Sequence, residues 1–281
     1  MKTHKHILLA ALLGSVSVGA NAANVLIVLS DENHLELRDN KSFPTGFYLN
    51  ELMVPTKALL DAGHEVTFAT PNGLAPTLDR SSAVPDYFNG DPQRLKEYES
   101  LLDKLLLTSP TRSPVISLAR VEQIGYSHFD ALYVPGGHAP MQDLISDPAL
   151  GRLLRAFHAA GKTTALVCHG PIALLSALDQ PQRLIELLEA GKKAPKPSVW
   201  IYAGYRMTVI SNEEEEKAKG YLGGGQMKFY PQAALELAGG SYQSNTSPWA
   251  PNVVIDRELI TGQNPASAAG VGRAILERLK K

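Results

Sequence analysis

The chain has 281 residues, with 27 Lys and Arg against 28 Asp and Glu, giving a formal net charge of −1. Its basic residues are scattered, with no stripe of Lys and Arg carrying interleaved aromatics, which argues against nucleic acid and anionic membrane surfaces as partners. A single cysteine excludes an intrachain disulfide.

The first residues, MKTHKH, are basic, and the apolar run ILLAALLGSVSVGA that follows is too short to span a bilayer as a helix. Small residues stand at the spacing of a processing site in Ala20-Asn21-Ala22, so residues 1–22 read as a signal peptide cleaved before Ala23. The mature chain, 23–281, is expected in the periplasm or secreted, as one domain. In an oxidising compartment a lone thiol is a liability, so Cys168 asks for a reason: burial as a small hydrophobe, or reactivity.

After the leader, NVLIVLS (24–30) reads as a buried strand. The pattern FYLNELMVPTKALLDAG has helical periodicity, ends at Gly63 and runs into the strand EVTFAT (65–70), which makes a βαβ unit and favours a parallel sheet. Residues 74–114 break the rhythm and contain the amphipathic stretch RLKEYESLLDKLLL, expected as an insertion over one end of the sheet. Alternation resumes with a strand over 130–137, a helix over 147–161, a strand over 162–169 and a helix over 171–178. Pro181 to Lys193 reads as helical and KKAPKPS as a loop. RMTVIS (206–211) is expected as another strand, FYPQAALELAGG as a helix and VVIDRELITG as a hairpin. Asn264-Pro265 caps a closing helix. This order predicts an α/β fold with a doubly wound, mostly parallel, flavodoxin-like sheet and a helical insertion.

Cys168 ends an apolar strand and is followed by His-Gly-Pro and an apolar run, a strand–turn–helix context that presents a nucleophile at the top of a sheet. The helix N-terminus behind it is expected to lower the thiol pKa and favour the thiolate. His169 is its adjacent candidate base, in need of an orienting carboxylate. Gly136, Gly137 and His138 form a corner at the end of another strand, where backbone N–H groups would bind substrate or hold an oxyanion. Glu51 lies among apolar residues of the first helix; turned inward, it would have a raised pKa and serve as an acid or base. The run Glu213–Glu216 follows the N-cap residues Ser211-Asn212, and one of its four carboxylates could orient His169. Neither dinucleotide nor phosphate-loop glycine motifs are present, and no Cys–His spacing suggests zinc.

Taken together, TGFYLNE, VPGGH, ALVCHGP and the late TGQNPASA resemble the PfpI/deglycase superfamily, with its class I glutamine-amidotransferase-like fold, and within it the branch of heat-inducible chaperones and glutathione-independent glyoxalases. The resemblance spans nearly the whole mature chain. It implies Cys168 as nucleophile, His169 as its histidine, Glu51 as the helix-borne carboxylate, an oxyanion held by the N–H groups of Gly137 and His169, and Glu213 or Glu214 as the acid behind His169. Some members of the branch resemble metal binders with a histidine three residues before the glutamate; Tyr48 stands there, which argues against a metal, and no cofactor is expected. The usual G-G-H-G corner reads Gly136-Gly137-His138-Ala139 here. The implied reaction is conversion of a small 2-oxoaldehyde such as methylglyoxal to a 2-hydroxy acid (glyoxalase III, D-lactate dehydratase). A cysteine peptidase or amidase, or a periplasmic holdase chaperone, are the rival readings. A homodimer is the default assembly.

Overall fold

A computed structural model describes residues 22–192, 199–245 and 247–280. The leader, but for Ala22, and residues 193–198 of the expected loop lie outside the described residues.

The strands are β1 (Asn24–Val28), β2 (His34–Glu36), β3 (Ser42–Pro44), β4 (Glu65–Thr70), β5 (Ile116–Ser117), β6 (Ala131–Val134), β7 (Thr163–Val167), β8 (Arg206–Met207), β9 (Ser241–Tyr242), β10 (Val253–Asp256) and β11 (Leu259–Gly262). Seven of them form the central sheet in the order β10-β11-β7-β6-β1-β4-β5. Every pair is parallel except the β10–β11 hairpin. The expected doubly wound, mostly parallel α/β fold is the observed one. β1 and β6 are buried along their whole length, as befits strands covered on both faces.

The helices are α1 (Leu49–Asp61), α2 (Pro92–Leu105), α3 (Leu118–Ile124), α4 (Pro148–Ala159), α5 (Pro181–Glu189), α6 (Asn212–Ala218), α7 (Pro231–Ala238) and α8 (Ala268–Leu279). Their starts follow local chemistry. Asp91 and Asp147 each accept backbone N–H bonds as N-caps, with a proline at the first helical position. Asn264 caps a short 3₁₀ turn, Pro265–Ser267, that leads into α8.

The chain folds differently from expectation at three places. Residues 170–177 wind as a 3₁₀ helix, not an α-helix. All eight are buried, so the segment has no solvent face to set a 3.6-residue stripe. RMTVIS gives only the two-residue β8, which pairs with β9 outside the central sheet. The next N–H, Thr208, is taken by the Thr261 hydroxyl at 2.9 Å, and Ile210 donates to the Cys168 carbonyl, so ladder pairing stops. Thirdly, β5 adds a seventh, edge strand beside β4, and α3 follows it before β6 begins.

Within residues 74–114, α2 packs against α1. The start of this insertion is tied to the first helix by reciprocal backbone bonds, Phe47 N–H to the Thr77 carbonyl and Asp79 N–H to the Phe47 carbonyl. Asp79 and Tyr87 are thereby brought to the carboxyl ends of β1 and β6, where the strand order reverses and ligands gather in open α/β sheets.

Candidate active site

Cys168 follows β7 directly and has φ of 59°, in the left-handed region that a side-chain-bearing residue occupies at a cost of about 1–2 kcal/mol. Neighbours on an extended strand point to opposite faces; this turn abolishes that separation. It sets the Cys168 sulfur 3.3 Å from His169 Nδ1. Burial presses hard on the site: Cys168 is 2% exposed and Glu51 fully buried. Glycine is required where the β6 corner meets them. A Cβ on Gly136 would lie 2.5 Å from Glu51 Oε2 and 2.7 Å from the Cys168 Cβ. Gly137, at φ of 90°, passes so close to the Gly46 carbonyl that a Cβ would overlap it.

Glu51 is delivered by the first turn of α1. Its Oε2 accepts the Gly136 N–H at 2.9 Å, while Oε1 is buried with no nitrogen or oxygen partner. Burial pushes this carboxyl up to about 8, outweighing the thiol and Gly136 hydrogen bonds that pull it down. Glu51 is therefore uncharged at neutral pH, with one oxygen free to hold a proton. The thiol does not behave as the strand–turn–helix argument expects. Burial pushes it well above the usual thiol range, a charged Glu51 would push it further, and the Gly137 N–H pulls it partly back. With Glu51 uncharged below about pH 8, burial and the nearby Glu215 carboxylate are the opposition that remains. The resting nucleophile is thus a protonated thiol that depends on its base.

That base is oriented by a residue other than the two expected. His169 Nε2 donates to Glu215 Oε1 at 2.8 Å, both groups buried. Nδ1 is then the nitrogen that accepts from the thiol. Glu213 is exposed and pairs with Lys217. Glu214 is a buried bracket. Its Oε2 accepts from the Ser211 N–H and hydroxyl and from Gln263 Nε2, and its Oε1 from the Trp249 N–H and Asn264 Nδ2. Burial alone would raise Glu214, but these bonds outweigh it and hold the carboxyl below its ordinary value. The late Gln263-Asn264 pair thus fixes the start of α6, and the next residue of that helix meets His169. One signal pointed this way. Ser211 and Glu214 form a capping box, which commits Glu214, at the third helical position, to the helix start and leaves Glu215 to face inward.

The corner's remaining member, His138, packs against His169 with ring centroids 4.2 Å apart and ring planes tilted by 41°. Burial, with His169 beside it, lowers His138 well below the usual range, so it is neutral. Among the described residues, His138, His169 and Glu215 each offer a ligand atom within 4.8 Å of the other two. His138 and Glu215 also line a cleft of 820 Å³ with Tyr48, Asp79, Tyr87 and Tyr221. Tyr48 caps α1 and packs edge-on against Tyr87 at 5.5 Å.

Because Glu51 is uncharged when folded but ionised when unfolded, it destabilises the fold as pH rises. The folded value, about 8, lies above the ordinary 4.5. Between these values the unfolded chain has released a proton that the folded chain keeps, so stability falls with rising pH across that window. Glu51→Gln is expected to be more stable than the wild type by on the order of 3 kcal/mol at pH 7 and nearly equal to it at pH 5. Denaturant unfolding at the two pH values checks this, and a variant less stable than the wild type at pH 7 contradicts the assignment.

A model of the DJ-1/PfpI family matches residues 43–184. A probable glutathione-independent glyoxalase of Schizosaccharomyces pombe is 25% identical, over 92% of this chain and 99% of that protein. A protein/nucleic acid deglycase of Staphylococcus aureus is 24% identical, over 91% of this chain and 79% of its own. Among solved structures, glyoxalase III from Candida albicans superposes with a TM-score of 0.66 at 21% identity, covering 92% of this chain and 97% of its own, a likeness of fold. No described helix is long and apolar enough to cross a membrane.

Proposed function

This chain belongs to the DJ-1/PfpI family, and we propose that within it the chain is a cysteine-dependent, glutathione-independent glyoxalase that converts 2-oxoaldehydes such as methylglyoxal into 2-hydroxy acids. The observation that carries the reading is that the thiol has two different proton handlers. The His169–Glu215 pair lies on one side, and the uncharged carboxyl of Glu51 borders the other. A peptidase needs the first alone. An isomerisation that moves a proton between adjacent carbons needs the second as well. The naming of the Schizosaccharomyces pombe relative as a glyoxalase supports the same reading.

In the proposed reaction, His169 Nδ1 takes the thiol proton as the sulfur bonds to the aldehyde carbon, and Glu51 protonates the aldehyde oxygen to give a hemithioacetal. We assign to the Gly137 N–H, which bonds to the sulfur in the resting site, the support of that oxygen. The Glu51 carboxylate so formed removes the proton from the former aldehyde carbon. The His169 imidazolium protonates the ketone oxygen, giving an enediol and a neutral His169; Glu51 then delivers its proton to the neighbouring carbon and takes the hydroxyl proton from the carbon bonded to sulfur, which leaves a 2-hydroxyacyl thioester and an uncharged Glu51. Water, deprotonated by His169, displaces the thiolate, which regains its proton and completes the cycle. Glu215 balances the charge of the imidazolium whenever it forms. The leader-like residues 1–22 support action outside the cytoplasm, on aldehydes that arise there.

Incubating purified mature chain with methylglyoxal, without glutathione, is expected to yield lactate. No lactate, together with turnover of a peptide amide or ester, would assign the same thiol to acyl transfer instead.

A further inference from the structure

His138 is left without a task by this chemistry. It is 9% exposed and neutral, and its buried Nδ1 has no partner. Its ring lies against His169 rather than against an acceptor, apart from an edge contact with Phe43 at 5.4 Å. Two neutral imidazoles and a carboxylate are a donor set suited to zinc. The three ligand atoms already lie within 4.8 Å of one another. A tetrahedral ion with bonds of about 2.0–2.1 Å needs its donors roughly 3.4 Å apart, so the gaps to His138 must close by on the order of 1 Å while the His169–Glu215 pair, at 2.8 Å, opens slightly. His138 and Glu215 both line the cleft, which gives the ion a way in and leaves water room at the fourth position.

We propose that His138, His169 and Glu215 form a Zn²⁺ site that switches the enzyme off. At rest, His169 Nε2 carries the proton it donates to Glu215, and Nδ1 accepts from the thiol. Zinc takes over Nε2 and binds a Glu215 oxygen and one His138 nitrogen. The proton displaced from Nε2 returns to the same ring at Nδ1, so the imidazole stays neutral. Nδ1 then points an N–H at the sulfur and can no longer take the thiol's proton. No proton leaves the protein, whereas a zinc site built on the Cys168 sulfur would release the thiol proton.

The inhibitory effect rests on the proposed glyoxalase chemistry; the binding does not. Zn²⁺ is titrated calorimetrically into chelator-treated wild type, Cys168→Ser, His138→Ala and His138→Asn, in two buffers of different ionisation enthalpy. One ion per chain is expected, with no proton release. The affinity should be unchanged within about threefold in Cys168→Ser and weakened at least about tenfold in both His138 variants, whose folding is checked by circular dichroism. Lactate formation by the wild type should fall in proportion to occupancy and return on adding chelator. Binding lost in Cys168→Ser but kept in the His138 variants overturns the site in favour of the thiol. Absence of stoichiometric binding at micromolar zinc overturns it outright. A zinc-binding chain that makes no lactate with or without metal upholds the site and counts against the glyoxalase reading alone.

Discussion

Lactate formation by Cys168→Ser is expected to drop by at least about 10³-fold while the fold and stability stay close to those of the wild type. The side chain is buried, so the change replaces sulfur with a smaller oxygen in a site packed by Gly136 and Glu51 and leaves the strained backbone as it is. What is lost is chemistry. Burial already pushes the thiol up, and a hydroxyl is harder to deprotonate by far, so His169 no longer generates a competent nucleophile. A serine variant that retains protection of an aggregating client, from a wild type that turns over no aldehyde, would favour the holdase reading.

Substitutions along the glutamate run should separate cleanly. Glu215→Gln keeps a hydrogen-bond acceptor for His169 Nε2 but removes the charge that stabilises the imidazolium. The turnover number should fall by between about 10²- and 10⁴-fold with little change in melting temperature. Glu213→Gln, altering an exposed residue paired only with Lys217, should match the wild type in both respects. Glu214→Gln should act through stability. An amide NH₂ would face donors at Trp249, Asn264, Ser211 or Gln263, costing roughly 2–3 kcal/mol, and activity should recover in part on cooling. Equal loss of turnover in Glu213→Gln and Glu215→Gln would contradict the assignment of the acid.

Much of this arrangement was legible from residues close together in sequence. NVLIVLS and the apolar strand before Cys168 are buried parallel strands, and EVTFAT is a parallel strand buried over its last three residues; their composition identifies them without partners. The Cys-His-Gly-Pro turn and the Gly136-Gly137 corner declare themselves through residues that special backbone angles demand. Glu51, between apolar neighbours, pointed inward as its surroundings suggested. Features set by contacts distant in sequence were harder to see. The choice of Glu215 over its neighbours depends on Gln263 and Asn264, about fifty residues away, anchoring Glu214. RMTVIS has the composition of a strand and is denied one by the Thr261 hydroxyl. The segment 170–177 is apolar enough for any helix, and its 3₁₀ winding comes from packing on every side. The thiol's ionisation was misjudged because a helix N-terminus is visible in sequence and complete burial is not.

The central claim is that the aldehyde becomes covalently bound to Cys168 and leaves as a 2-hydroxyacyl thioester. Acid-quenching the enzyme during methylglyoxal turnover and mapping its peptides by mass spectrometry tests this directly. A single hydroxylamine-labile lactoyl group on the Cys168 peptide, absent from Cys168→Ser, is the predicted result. Lactate produced while that peptide stays unmodified, and at an undiminished rate by Cys168→Ser, would contradict the account.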